Sequence, residues 1–464
     1  MMNSTGTYDT QKAKEISLDS IIKIMKNKGV NKLHIKRLAP NDNSKNQPYF
    51  GSHLTDLPFL PTGNIEATKT ESNKPLNGRS IKYLASLNLS WIDADGIAYP
   101  APNSKLIYYP QYPEVRFSGF LKGSKVKLSE WMAPEKKGRA VGRWLILGTG
   151  KDDTIYSFLA TPNSALANEL TNKEFTKTTE VFYEFSIENQ IKVVNTRSDL
   201  IRKLKEIHEM GWVKGQKLDS NLIPQPYKAP NGGGYTLESL LGVSPNGYAE
   251  PDYLGWEVKQ FGVKDFPLKS AKPTTLLTPE PDGGVYTDKG VIEFIKMFGY
   301  PDKSGKPDRW NFGGKHSVNK ECSATNLTMV LDGFDTCSGT ITDAFGAIKL
   351  ISKKGSVAAS WSFAKIMDHW KRKHSQAVYV PCMMRKSKGG TEYHYGKDIE
   401  LGTVTNFELF LSAMLIGSVY YDPGIKVEKI STEKPVSKRR SQFRVNHKHL
   451  NTLYKNFEYV DITN

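Results

Sequence analysis

The stretch 249–260, AEPDYLGWEVKQ, sets Asp252, Glu257 and Lys259 in the order P-D-x4-E-x-K, shortly after the glycine-rich run NGGGYTLESLLG at 231–242. Hydrolysis of a phosphodiester needs an activated water, stabilisation of the charge that builds on the phosphorane oxygens, and help for the leaving oxygen. A hard divalent cation held by carboxylates supplies the last two and lowers the pKa of the water; a nearby lysine positions or deprotonates that water. Glu257 and Lys259 are two residues apart, so a strand aims both at one face while Trp256 and Val258 turn to the core. Asp252 precedes them across Leu254-Gly255, where a bend returns its carboxylate to the same place. The triplet is weakly specific by itself. A solvated hairpin with an Asp–Lys ion pair fits the same letters, and further Pro-Asp pairs stand at Asp282, Asp302 and Asp308. Gly232–Gly234 are followed by neither GK[ST] nor a GxGxxG pattern, so a turn that lets the next helix approach closely is expected there rather than a phosphate cradle.

Such a triplet needs a strand, a neighbouring helix and a fold around both. From about residue 190 the patterning alternates. Segment 198–210 is an amphipathic helix with Leu200, Ile201, Leu204 and Ile207 on one face. A second helix is expected at 236–241 and a strand at 255–261, with further strands at 327–331, 377–384 and 392–395 and helices at 361–374 and 406–416. That alternation predicts an α/β sheet flanked by helices. The earlier part reads differently. Leu18, Ile21, Ile22 and Met25 predict a helix over 17–28, with Ser17 as its N-cap and Gly29 as its stop. A strand follows at 32–38. Short alternating runs at 80–90, 105–109, 114–121, 143–147 and 154–160, punctuated by Gly, Pro and Asn, predict a small mostly-β unit of barrel type. The expected domains are therefore 1–190 and 191–464.

The bulk numbers restrict the partners. A chain of 464 residues exceeds one ordinary core, and 64 basic against 48 acidic residues leave a formal charge of +16, which favours a polyanion such as nucleic acid or an anionic membrane. The longest uncharged apolar run, 409–421, is about thirteen residues, short of the roughly 18–20 needed to span a bilayer. The polar N-terminus shows no secretory signal, and no basic amphipathic helix with a large apolar face is evident. Cys322, Cys337 and Cys382 are odd in number and lack CxxC spacing, which fits a reducing cytosol and argues against a disulfide framework or thiolate zinc site. A cytoplasmic protein without membrane partners is expected.

The run GGGYTLESLLG followed by EPDYLGWEVK resembles the MvaI/BcnI restriction endonucleases. The similarity continues through MGW at 210–212, SWSF at 360–363, KHSQAVYVP at 373–381 and RRSQFRV at 439–445. The resemblance implies a PD-(D/E)xK nuclease fold, related to the MutH repair nickase, with Mg2+ as cofactor and a monomer carrying one active site. On this resemblance Asp252 and Glu257 ligate the metal, Lys259 assists the water, and Glu238 stands beside them as a supporting acid; a plain surface charge is the alternative for Glu238. Base-reading candidates in this half are Lys371, Arg372 and His374 at a helix end, His394, and Arg439, Arg440, Gln442 and Arg444, of which 440, 442 and 444 share one face of a strand. Phosphate contact or plain solubility is the alternative for those three, and a structural role is the alternative for the two histidines.

In the first half, LAPNDNSKNQPYFG at 38–51 and YPEVRF at 112–117 resemble the EcoRII-type effector DNA-binding domain, a pseudobarrel that grips the major groove with two arms. The arms would be 41–53, offering Asn41, Asp42, Lys45, Gln47 and His53, and 109–118, offering Glu114 and Arg116. Lys136, Lys137 and Arg139 in the loop KKGRAVGR are expected on phosphates, which position without specifying. A polar surface loop and a sheet-edge ion pair are the plainer alternatives. Both resemblances imply double-stranded DNA with the target CC(A/T)GG, one copy for each domain. The rival readings are a MutH-like repair nickase and a DNA-binding regulator without catalysis.

Overall fold

Ser17 accepts from the Ser20 amide (3.2 Å), so the helix Leu18–Asn27 opens on a side-chain cap, buries Leu18, Ile21, Ile22 and Met25, and ends before Gly29 at φ +76°. The computed structural model describes residues 10–40, 47–69, 81–124, 129–132, 140–177, 179–187, 196–229, 231–244, 252–266 and 271–464. The chain divides into two compact units, 1–194 and 195–464.

In the first unit the strand Lys32–Leu38 lies between Arg143–Thr149 and Tyr183–Ser186 in a seven-stranded sheet. A five-stranded sheet runs in the order Tyr49–Gly51, Glu114–Ser118, Lys105–Tyr109, Ile81–Ser86, Ile65–Lys69. An aromatic seam fills the interior. Phe50 stacks on Phe117 (4.8 Å) and meets Phe182 edge-on (5.0 Å), and Phe117 stacks on Phe120 (4.4 Å). The expected barrel is not closed among the described residues. Closure requires the first and last strands to pair, and here the strands fall into two open sheets with short edges such as Ala98–Pro100 and Tyr49–Gly51.

The second unit is built on a six-stranded sheet. Its long strand Gln376–Ser387 pairs in parallel with Glu257–Gly262 and antiparallel with Asp398–Thr403 and Gly390–Tyr395; Val213–Lys214 and Asn456–Asp461 extend it. Leu200, Leu204 and Ile207 of helix Thr196–Glu209 and Leu237 of helix Gly232–Leu240 join Trp256, Val258, Val378 and Val380 in one core. The expected α/β sheet with flanking helices is present. Four further small sheets are spread over 274–362 and 419–445, and of their strands only the one at 327–331 was expected. The others are two to six residues long, too short to display a clear period.

The glycine run also differs from expectation. Gly232–Gly234 do not make a turn before the helix; they form its first turn. The close approach anticipated for them is real. A Cβ on Gly232 would lie 2.5 Å from the Tyr393 hydroxyl, and one on Gly233 would lie 3.2 Å from the Gln260 side chain. Tyr395 Oη donates to the Gly233 carbonyl (2.7 Å), which fixes the helix flush on the sheet.

Candidate active site

The chain reverses at Leu254-Gly255. Both residues have positive φ (+50° and +84°), and Tyr253 and Trp256 exchange backbone hydrogen bonds of 3.0 and 2.8 Å, the geometry of a two-residue type I′ hairpin. Glycine takes such a conformation freely, whereas a leucine there costs about 1–2 kcal/mol. Gln376 Nε2 donates to the Gly255 carbonyl (2.9 Å) and braces the turn. The reversal returns Asp252 to the start of the strand Glu257–Gly262, where its Oδ2 accepts from the Val258 amide at 2.9 Å.

On that strand Val258 faces the core, and Glu257 and Lys259 face the other way as an ion pair in direct contact. Glu257 is fully buried, yet its Oε2 has no hydrogen-bond partner. A second cation approaches it: Lys373 Nζ lies 3.9 Å from Glu257 Oε1. Glu238, Asp252, Glu257 and Lys259 share one low-dielectric pocket, and their titration reflects it. Burial and the neighbouring Asp252 charge push the Glu238 carboxyl up to about 7. Burial and Glu257 push Asp252 up to about 6. Burial also opposes ionisation of Glu257, but Lys259, His374 and Lys373 outweigh it and hold Glu257 below the usual carboxylate range. Burial disfavours the Lys259 ammonium, and Glu257 outweighs it, so Lys259 stays protonated beyond its ordinary range.

The site as a whole carries two acids that resist ionisation and one buried carboxylate oxygen without a partner. A divalent cation remedies both. No group of three or more His, Cys, Asp or Glu among the described residues forms a ready-made metal cage. Two carboxylates suffice for Mg2+, which keeps waters and substrate phosphate oxygens in its remaining positions.

The remaining candidates separate by burial. Lys371 (4% exposed) and His374 (0%) are not on the surface, which corrects their assignment to base reading. Helix Phe363–His374 buries positions 363, 366, 367, 370, 371 and 374 as one stripe, so both belong to its core face. His374 stacks on Trp370 (4.3 Å) and meets the Leu276 carbonyl (3.1 Å); burial brings its pKa down to about 4. Arg372 pairs with Asp368 at 3.1 Å. Lys373, part of the same KRKH helix end but not singled out there, lies off the buried stripe, and the structure brings it beside Glu257.

His394 stacks against His208 (5.6 Å) and meets the Trp212 ring at a tilt (5.6 Å). Arg439 and Arg440 are exposed. Gln442 is buried, which corrects it as a free base reader, and its amide lies 3.4 Å from Asp422. Arg444 is held by Asp422 (2.8 Å) and the Pro273 carbonyl (2.7 Å). The common strand face for 440, 442 and 444 is also corrected, since the strand is only Phe443–Val445.

In the first unit Arg116 grips Glu114 (2.6 Å), donates to the Gln47 carbonyl (3.3 Å) and lies over the Tyr49 ring. Gln47 Nε2 donates to Ser118 (2.8 Å), and His53 Nδ1 is 3.2 Å from the Tyr108 hydroxyl. Asn41, Asp42, Lys45, Lys136, Lys137 and Arg139 lie outside the described residues.

Among the described residues no helix is long and apolar enough to cross a membrane. A search of curated protein sequences finds no match. Two solved structures align over 58% of this chain and 99% of their own: the restriction endonuclease MvaI–cognate DNA substrate complex, at 17% identity and a TM-score of 0.42, and MvaI in the absence of DNA, at 15% and 0.32. The sequence profile of the MvaI/BcnI restriction endonuclease family matches residues 201–454, more than half of the chain and the whole of the pocket just described, and the chain belongs to that family.

Proposed function

We propose that this protein is a type II restriction endonuclease that hydrolyses both strands of duplex DNA at a short, nearly palindromic site with Mg2+. The observation that carries the reading is the convergence of Asp252, Glu257 and Lys259 on one pocket inside the segment matched by a restriction endonuclease family. Membership of a restriction endonuclease family supports DNA as the substrate.

Asp252 and the unpartnered Oε2 of Glu257 would hold the cation. When bound, it supplies charge stabilisation at the phosphorane and an acidified water. Lys259 keeps its proton, so its part is to orient the attacking water and to offset phosphate charge rather than to act as the base. Lys373 adds a second positive charge on the same side of Glu257. Glu238, pushed up to about 7, exchanges a proton near neutral pH and stands ready as the supporting acid.

The same proposal extends to the first unit, read as an EcoRII-type effector domain that binds a second copy of the site. Glu114 accepts from cytosine N4 and Arg116 forks onto guanine once their mutual pair opens. This build, with CC(A/T)GG as target, resembles the restriction enzyme UbaLAI, and a monomer is expected. A supercoiled plasmid bearing CC(A/T)GG should become linear in Mg2+ and remain intact in a chelator. Lys259→Ala should abolish cutting and keep gel-shift binding. Accumulation of nicked circles alone would favour a MutH-like nickase, and metal-independent binding without any cutting would leave a DNA-binding regulator.

A further inference from the structure

Between helix Thr196–Glu209 and helix Gly232–Leu240 the chain forms a hairpin, Gln216–Leu218 with Pro224–Pro226, that is a two-stranded sheet of its own. Its tip exposes two large apolar side chains, Leu222 (60%) and Ile223 (53%). The tip is ordered from within. Asp219 accepts from the Asn221 amide (2.9 Å), the Ile223 amide (3.0 Å) and Gln225 Nε2 (3.0 Å), and its carbonyl accepts from the Leu222 amide (3.1 Å). Leu222 is thereby held at φ +62°, a conformation where glycine or asparagine is the ordinary choice. A left-handed, solvent-facing leucine beside an exposed isoleucine gains nothing in the isolated chain.

The flanks specify the partner. Lys214, Lys217 and Lys228 surround the arm, and its single acid, Asp219, is consumed by the turn. The base is bolted to the helix that carries Glu238: the Gln216 amide donates to Thr236 Oγ1 (3.1 Å) and Gln216 Nε2 to Ser239 Oγ (3.0 Å). An apolar point on a cationic arm, tied to the active-site helix, matches a wedge that enters the minor groove between base pairs while lysines meet phosphates. We propose that Leu222 and Ile223 insert into the duplex beside the scissile site and unstack a base step. This inference rests on the nuclease reading above.

The test uses the full chain and a duplex carrying the sequence that the wild type cuts, with 2-aminopurine placed at successive positions and Ca2+ in place of Mg2+. The wild type should raise the fluorescence at one step. Leu222→Ser/Ile223→Ser should lose that rise and cut about tenfold or more slowly in Mg2+, with an unchanged melting temperature. Leu222→Gly, which suits the backbone, should melt no lower than the wild type and still lose signal. A wild-type rate and fluorescence in the double variant overturns the wedge alone, as does a wild type that raises no signal at any position. Altered self-association of the double variant with unaltered DNA behaviour also overturns it and makes the tip a contact between copies. Failure of the wild type to cut any DNA overturns the nuclease reading together with the wedge.

Discussion

Replacing the three glycines of helix Gly232–Leu240 by alanine, one at a time, should give three different results. In a helix, alanine is favoured over glycine by about 1 kcal/mol, less at the first position. At Gly234 the new methyl meets only Glu238 Oε1 at 4.0 Å, so the propensity gain remains and the variant is stabilised. At Gly232 the methyl lies 2.5 Å from the Tyr393 hydroxyl and 3.2 Å from its ring carbon, in a buried contact where overpacking costs about 1–3 kcal/mol. The two variants should therefore differ by about 2 kcal/mol, or roughly 4–8 °C in the melting transition of the C-terminal unit. Gly233→Ala meets the flexible Gln260 side chain at 3.2 Å and should fall between them. Tyr393→Phe removes the clashing oxygen and should recover much of the Gly232→Ala loss, a coupling visible in a double-mutant cycle. Because the displaced helix carries Glu238, Gly232→Ala should also cut more slowly, by up to about 100-fold if the acid moves 1 Å. Equal melting temperatures for Gly232→Ala and Gly234→Ala, or no recovery with Tyr393→Phe, would refute the argument that these glycines serve helix-to-sheet contact.

Asp252→Asn should stabilise the metal-free protein more at pH 8 than at pH 4. The folded pKa of Asp252 is raised to about 6, so its stabilising contribution is present below its ordinary 3.8 and is lost as pH rises through 6; melting curves at both pH values check this. Glu114→Gln releases the Arg116 guanidinium from its 2.6 Å pair and should change which sequences a gel shift of the N-terminal unit prefers; an unaltered preference would leave the pair structural. If both units together neutralise about ten phosphates, DNA affinity should fall by about 10⁵ between 50 and 200 mM salt, and a flat titration would contradict two-domain gripping.

Much of this site is legible in the letters because its signals are local. The period-2 relation of Glu257 and Lys259 and the Leu254-Gly255 reversal each need only a few neighbours, and the structure realises both. The helix at 17–28 and the strand at 32–38 are likewise recovered from caps and alternation. Misreadings arise where a partner distant in sequence decides. Lys371 and His374 look like a basic helix end until the stripe from Phe363 is followed to its last turn. Gln442 and Arg444 look like readers until Asp422 is seen to hold them. The glycine run reads as a turn because only Tyr393 and Gln260, far along the chain, explain glycine inside a helix.

Sequencing the ends that the protein produces from a mixed-sequence plasmid in Mg2+, with Asp252→Ala run in parallel, shows whether this pocket cuts DNA at a defined site. Paired breaks in both strands at one short sequence are expected, with none in chelator and none from the variant. Breaks scattered over many sequences, or identical breaks from Asp252→Ala, would contradict this expectation.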